Sequence, residues 1–196
     1  MKRLSLYLFL ILFTLQTPSW ADDIRDFQIE GMSIGGSLLD YFSKKEIKDN
    51  TNINYYTNSK YTYVEFFGLP AFKIYDTVGF DYKTTDKKYI IDAIRGVLFC
   101  EKNIEKCNKK QKEIDLELSK MFKKSQREVE KGKHSADKSG KSTTSHINFW
   151  WISGDVVTIE LIDWSEKITN EKGWTDNVSV SFRTKEFNDF LGIAFK

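Results

Sequence analysis

Proline is nearly absent from this chain, with two residues in 196, and cysteine and histidine also occur only twice each. Two cysteines exclude a multi-bridge disulfide scaffold and a thiolate-rich metal cluster. His134 falls in a polar stretch and His146 at the edge of a strand pattern. Neither comes with the converging ligands that a metal site or a Ser-His-Asp site needs. Nucleophile and phosphate signatures are missing as well. Ser33-Ile34-Gly35-Gly36-Ser37 lacks the flanking glycines of a G-x-S-x-G elbow. Gly31 to Gly36 matches a phosphate loop only in glycine count, without its Lys-Ser/Thr ending or a preceding βαβ unit.

Long apolar runs are missing too, except at the start. Met1-Lys2-Arg3 is a short positive segment, Leu4 to Leu15 is apolar apart from Ser5 and Thr14, and Ser19-Trp20-Ala21 has the small residues of a cleavage site. That order predicts a signal peptide over residues 1–21 and an exported chain, periplasmic or secreted. The alternative is an uncleaved anchor, but the run is shorter than the about 20 apolar residues that cross a bilayer. No cysteine follows it for lipid attachment, and no later segment is apolar enough to span a membrane. Lys2 and Arg3 account for the whole net charge of +2, so residues 22–196 are balanced in charge. Balance of this kind gives no case for nucleic acid as a partner.

Residues 22–196 make one domain of ordinary size, able to bury one core. Ser37 is a candidate N-cap, with Asp40 in a capping-box position, for a helix running to about Lys48. Strand patterns follow at Tyr61–Phe67, Phe72–Lys83 and Tyr89–Phe99. Ile104, Cys107, Gln111, Ile114, Leu118 and Met121 recur at helical spacing, with Asn103 as cap. Residues 125–145 are basic and poor in apolar side chains and predict a flexible loop. Strands at Ile147–Ile152, Val156–Trp164 and Val178–Phe182 and a closing helix from Thr184 complete the chain. The expected fold is therefore α+β, order α-βββ-α-βββ-α, an antiparallel sheet with helices packed mainly on one face. Cys100 would end a strand and Cys107 would lie one turn into the long helix. A disulfide pinning helix to sheet is the preferred reading; two free thiols or half a metal site are the alternatives.

The stretch DDIRDFQIEGMSIGGSLLDYF, Asp22 to Phe42, is the most distinctive. It resembles the opening of an uncharacterised family of small exported bacterial proteins. Lys88-Tyr89-Ile90-Ile91, the Cys100 to Cys107 segment and Asp163-Trp164-Ser165 are similar to that family too. Gly36 departs from the acidic residue expected there. The resemblance covers nearly all of residues 22–196 and implies export, but no activity and no catalytic residue. The helix–sheet pattern also loosely resembles the two-layer domains of outer-membrane assembly lipoproteins and of secreted β-lactamase inhibitors. The missing lipid-attachment cysteine counts against the first.

No catalytic residue, cofactor or metal ligand is assigned. Asp76, Asp81, Asp92, Glu160 and Asp163 lie in strand patterns and are expected on a wet face. The aromatic residues are the unusual feature. Neighbours on a strand face opposite sides, so Trp151 shares a side with Ile147 and Phe149, and Trp150 with Asn148 and Ile152. Trp151 is therefore expected in the core and Trp150 on a candidate binding surface, unless both faces are covered. The expected function is a non-enzymatic exported module that binds an envelope protein or a cell-surface component. The alternative is an envelope hydrolase without a recognisable motif. A deep cleft holding several converging carboxylates would favour the hydrolase, and a flat or grooved apolar patch beside Trp150 or Trp151 the module.

Overall fold

The computed structural model describes residues 23–100 and 103–195. The expected signal peptide, residues 1–21, lies outside the described residues. Among the described residues the α-helices are few: α1 (Lys44–Asp49), α2 (Ile104–Met121), α3 (Glu166–Lys172) and α4 (Lys185–Leu191). Most of the fold is one antiparallel sheet of eight strands: β1 (Thr51–Asn52), β2 (Tyr61–Phe67), β3 (Thr77–Lys83), β4 (Ala93–Phe99), β5 (Gln126–Lys133), β6 (Thr143–Trp150), β7 (Val156–Asp163) and β8 (Asn177–Arg183). Across the sheet the order is β1-β2-β3-β4-β8-β7-β6-β5.

This overturns the expected α-βββ-α-βββ-α pattern with helices mainly on one face. The first meander ends at β4. Helix α2 then carries the chain to the far edge, and β5 to β8 return until β8 pairs with β4 in the middle. Residues expected as a flexible loop, 125–145, instead form β5 and the start of β6, paired residue for residue from Gln126–Trp150 to Lys133–Thr143. Strand β5 reads QREVEKGK because it is an edge strand, supported by backbone pairing rather than by burial. Charge at a sheet edge also discourages pairing with another chain. Between these strands, Asp137 accepts hydrogen bonds from the Ser142 amide, the Ser142 hydroxyl and the Ser165 hydroxyl, which fixes the turn. The expected helix from Ser37 is also different. Ser37 caps only a short 3₁₀ turn, Leu38–Asp40. Ser43 then starts α1 with a full capping box to Glu46.

One face of the sheet carries the core. Phe66, Val78, Phe80, Ile94, Val180, Phe182, Ile159 and Phe149 point the same way and are buried. Helix α2 covers the β7–β8 half with Cys107, Gln111, Ile114 and Leu118. The distinctive opening covers the rest with Ile24, Phe27, Ile29, Met32, Ile34 and Leu38. Phe27 stacks on Phe182 with centroids 5.8 Å apart and meets Phe122 edge-on at 4.7 Å. Glu30 explains part of the motif: its carboxylate accepts the amide hydrogens of Lys73, Ile74 and Tyr75 at 2.7–3.0 Å. Cys100 and Cys107 are disulfide-bonded, tying the end of β4 to the first turns of α2. No described helix is long and apolar enough to cross a membrane.

Candidate functional site

The opposite face of the sheet is not a plain wet surface. Antiparallel pairing aligns its residues in rows across the strands. One row is Tyr63, Asp81, Ala93, Arg183, Val156 and Trp150; the next holds Arg95, Ser181, Thr158 and Asn148; a third holds Ser179, Glu160 and His146. Helix α4 packs on this face through Phe187 and Phe190 against Tyr61 and Ala93, which also departs from a one-sided helical layer. Between α4, the Tyr55–Tyr56 segment and the strands lies a cavity of about 350 Å³.

Its floor is a set of interlocked polar side chains. Arg95 donates from Nε to Ser179 Oγ at 3.0 Å and from Nη2 to Glu160 Oε2 at 2.7 Å. Glu160 Oε1 lies 2.9 Å from His146 Nε2, which is 3.2 Å from Thr144 Oγ1. Thr158 donates to Asn148 Oδ1 at 2.7 Å and receives a short hydrogen bond from Arg183 Nη2. The Tyr56 hydroxyl donates to Asp81 Oδ1 at 2.8 Å. The Arg183 Nε is buried and has no hydrogen-bond partner among the described residues.

The walls are aromatic. Tyr55 stacks on Tyr63 with ring centroids 4.2 Å apart, and Phe195 closes over Tyr56 at 5.4 Å. Tyr63 lies across Gly79, where a Cβ would come within 2.4 Å of its hydroxyl oxygen. Trp150 lines the other side and donates from Nε1 to Glu128 Oε2 at 3.1 Å.

These surroundings separate the two acids. Burial pushes the Asp81 carboxyl up to about 8, against the opposing pull of the Tyr56 hydroxyl, Arg95 and Arg183. Burial also works to raise Glu160, but Arg95 and the His146 hydrogen bond outweigh it and hold the group at about 2. Burial lowers Arg183 to about 10, which leaves it protonated at neutral pH. Tyr56 and Tyr63 are pushed well above the ordinary tyrosine range by burial, so both are neutral donors.

No family model, curated protein or solved structure matches the chain.

Among the residues singled out in the sequence, the fold brings Trp150, Asp81, Glu160 and His146 to this one cavity. Asp81 and Glu160 are not on a wet face: Asp81 is 7 % exposed and Glu160 is largely enclosed in its ion pair. Trp151 lies on the other side, edge-on to Phe122 at 4.8 Å. His134 sits apart, its ring 4.3 Å from that of Trp164. Asp76 receives the Phe99 amide and takes no part in the cavity. Among the described residues no three His, Cys, Asp or Glu side chains converge to hold a metal ion. Sequence reasoning placed Asn148 beside Trp150 but missed Arg95, Arg183, Thr158 and the Tyr55-Tyr56 wall. The available signal was the polar half of the strand alternation: His146, Asn148 and Trp150; Thr158 and Glu160; Ser179, Ser181 and Arg183.

Proposed function

We propose that the protein is an exported binding module that holds a small ligand in the cavity on the open face of the sheet. The observation that carries this reading is the cavity itself, with a floor of side chains fixed by mutual hydrogen bonds and walls of stacked aromatic rings. Concave sites that combine aromatic walls with convergent polar groups held in place suit small-ligand capture. The Cys100–Cys107 bond supports export, because such bonds persist in oxidising compartments. The resemblance of the opening to exported bacterial proteins points the same way and adds no chemistry. An envelope or cell-surface component is the expected source of the ligand.

One observation favours a second reading, a hydrolase. Asp81 and Glu160 are held on opposite sides of neutrality, as an acid and a base would be. Against it, Glu160 is engaged by Arg95 and His146, and Asp81 by Tyr56. The discriminating experiment incubates the protein with a small-molecule extract of the bacterial envelope, followed by native mass spectrometry. Retention of a small ligand, released unchanged and lost in Tyr55→Ala, is the expected result. A ligand whose mass changes on incubation would favour the hydrolase. Absence of any retained or altered species would overturn both.

A further inference from the structure

We propose that the ligand of this cavity is a small organic anion with a flat ring, its carboxylate or phosphate group seated on Arg183. This assignment rests on the binding reading above. Two cations reach the floor, and they are not equivalent. Arg95 is neutralised by Glu160 at 2.7 Å. Arg183 forms no ion pair among the described residues, gives one hydrogen bond from Nη2 to Thr158, and keeps a buried Nε without a partner. Buried donors are almost always satisfied, so this guanidinium has hydrogen-bonding capacity to spare; its Nε is enclosed by protein, and the part of the group that lines the cavity is what a ligand reaches. A guanidinium presents its donors as a planar fork that matches the two oxygens of a carboxylate or phosphate.

The neighbours of Arg183 agree with this. Asp81 lies in the same row with only Ala93 between them, yet burial keeps its carboxyl protonated through neutral pH. The other carboxylates of the cavity are Glu160, which is paired with Arg95 and acts on Arg183 only at longer range, and Glu130, which forms no ion pair with Arg183 among the described residues. Ser181, Thr158 and Asn148 add neutral polar groups beside it. The ring is assigned from the walls. Aromatic side chains stand on either side of Arg183: Trp150 two strands along the same row, and Tyr56, whose hydroxyl meets Asp81 two strands along in the other direction; a planar body can pack against one of them. The cavity of about 350 Å³ is at the small end of ligand sites, which span about 300–1,000 Å³, and fits one ring with a short substituent.

The test titrates the disulfide-bonded protein with 4-hydroxybenzoate, phenyl phosphate and neutral 4-hydroxybenzamide, by calorimetry and by NMR of the Arg183 Nε–H resonance. At least one anion is expected to bind roughly tenfold or more tighter than the amide. That anion should shift the Nε–H signal and lose its advantage in Arg183→Gln. Should that variant fail to fold, the wild-type comparison of anion with amide and the Nε–H shift still decide. If the amide binds as well as the anions, and Tyr55→Ala abolishes both, the cavity binds ligands but the anion assignment is overturned. Survival of the anion preference in folded Arg183→Gln overturns it too. If no probe binds and the resonance does not move, the anion assignment and the binding reading both fall.

Discussion

Arg95 and Glu160 meet at 2.7 Å across the open face of the sheet, although one is on β4 and the other on β7 with β8 between them. The pair bridges the two meanders. Because Glu160 is held at about 2 in the folded protein, it contributes stability above its unfolded value near 4.5. That contribution is lost as pH falls from about 4.5 through about 2. Glu160→Gln should remove this acid-side loss and lower stability at pH 7 by about 1–3 kcal/mol, since it leaves Arg95 without its counter-charge. Thermal melts of both proteins from pH 2 to pH 7 check the window; equal acid sensitivity would show that the pair is not the cause.

Asp81 works in the opposite direction. Its folded carboxyl is raised to about 8 by burial, so the unfolded chain gives up the proton first as pH rises. Stability from this group is complete below its unfolded value near 3.8 and is lost as pH rises towards 8. Asp81→Asn keeps an acceptor for the Tyr56 hydroxyl but cannot ionise. We expect it to raise the melting temperature at pH 7.5, by on the order of 1 kcal/mol or more of stability, and to flatten the decline between pH 5 and pH 8. A lower melting temperature at pH 7.5 would mean that Asp81 folds as a carboxylate.

The parts of the fold legible in the sequence are those where one segment carries its own signal. Cys107, Gln111, Ile114 and Leu118 form the buried stripe of α2, and Asn103 caps it, both as the 3.6 spacing implies. Strand β2 lies where its aromatic and β-branched run predicts. Strand β5 was not legible, because an edge strand needs only a partner's backbone, and QREVEKGK shows no apolar alternation. The cavity was not legible for a different reason. Glu160 and His146 face each other across the β6–β7 hairpin, but Arg95 joins them only when β8 inserts beside β4, and that pairing order is not written in any one segment. Polar alternation on strands β6, β7 and β8 was visible, yet read one strand at a time it implied only exposure.

Removal of residues 126–142 is expected to be severe, because it takes away the whole of β5. Its loss would bare the full backbone edge of β6, whose Ile147 and Phe149 belong to the core. It would also break the two-toothed Arg127–Asp115 contact between β5 and α2, at 2.8 and 2.9 Å. Cooperative melting should disappear, or the protein should aggregate in size-exclusion chromatography. A deletion variant that stays monomeric with an unchanged melting temperature would show that the β5 pairing adds little.

Gly79 and Gly96 offer a way to separate the cavity from the fold. Both lie in the sheet with an aromatic ring across the missing side chain, but on opposite faces. At Gly96 an added Cβ would come within 2.6 Å of the Tyr75 ring, which is packed in the core, so Gly96→Ala should destabilise by about 1–3 kcal/mol through overpacking. At Gly79 the clash is with Tyr63, closest at the hydroxyl end, 2.4 Å away. That ring can swing towards the cavity, and alanine restricts the unfolded chain, so the net stability change should stay within about 1 kcal/mol. The swing would break the 4.2 Å stack with Tyr55 and narrow the space beside Arg95. Gly79→Ala should therefore weaken ligand binding while the melting temperature holds, and Gly96→Ala should lower the melting temperature first. If Gly79→Ala binds like the wild type, the Tyr55–Tyr63 wall is not where the ligand rests.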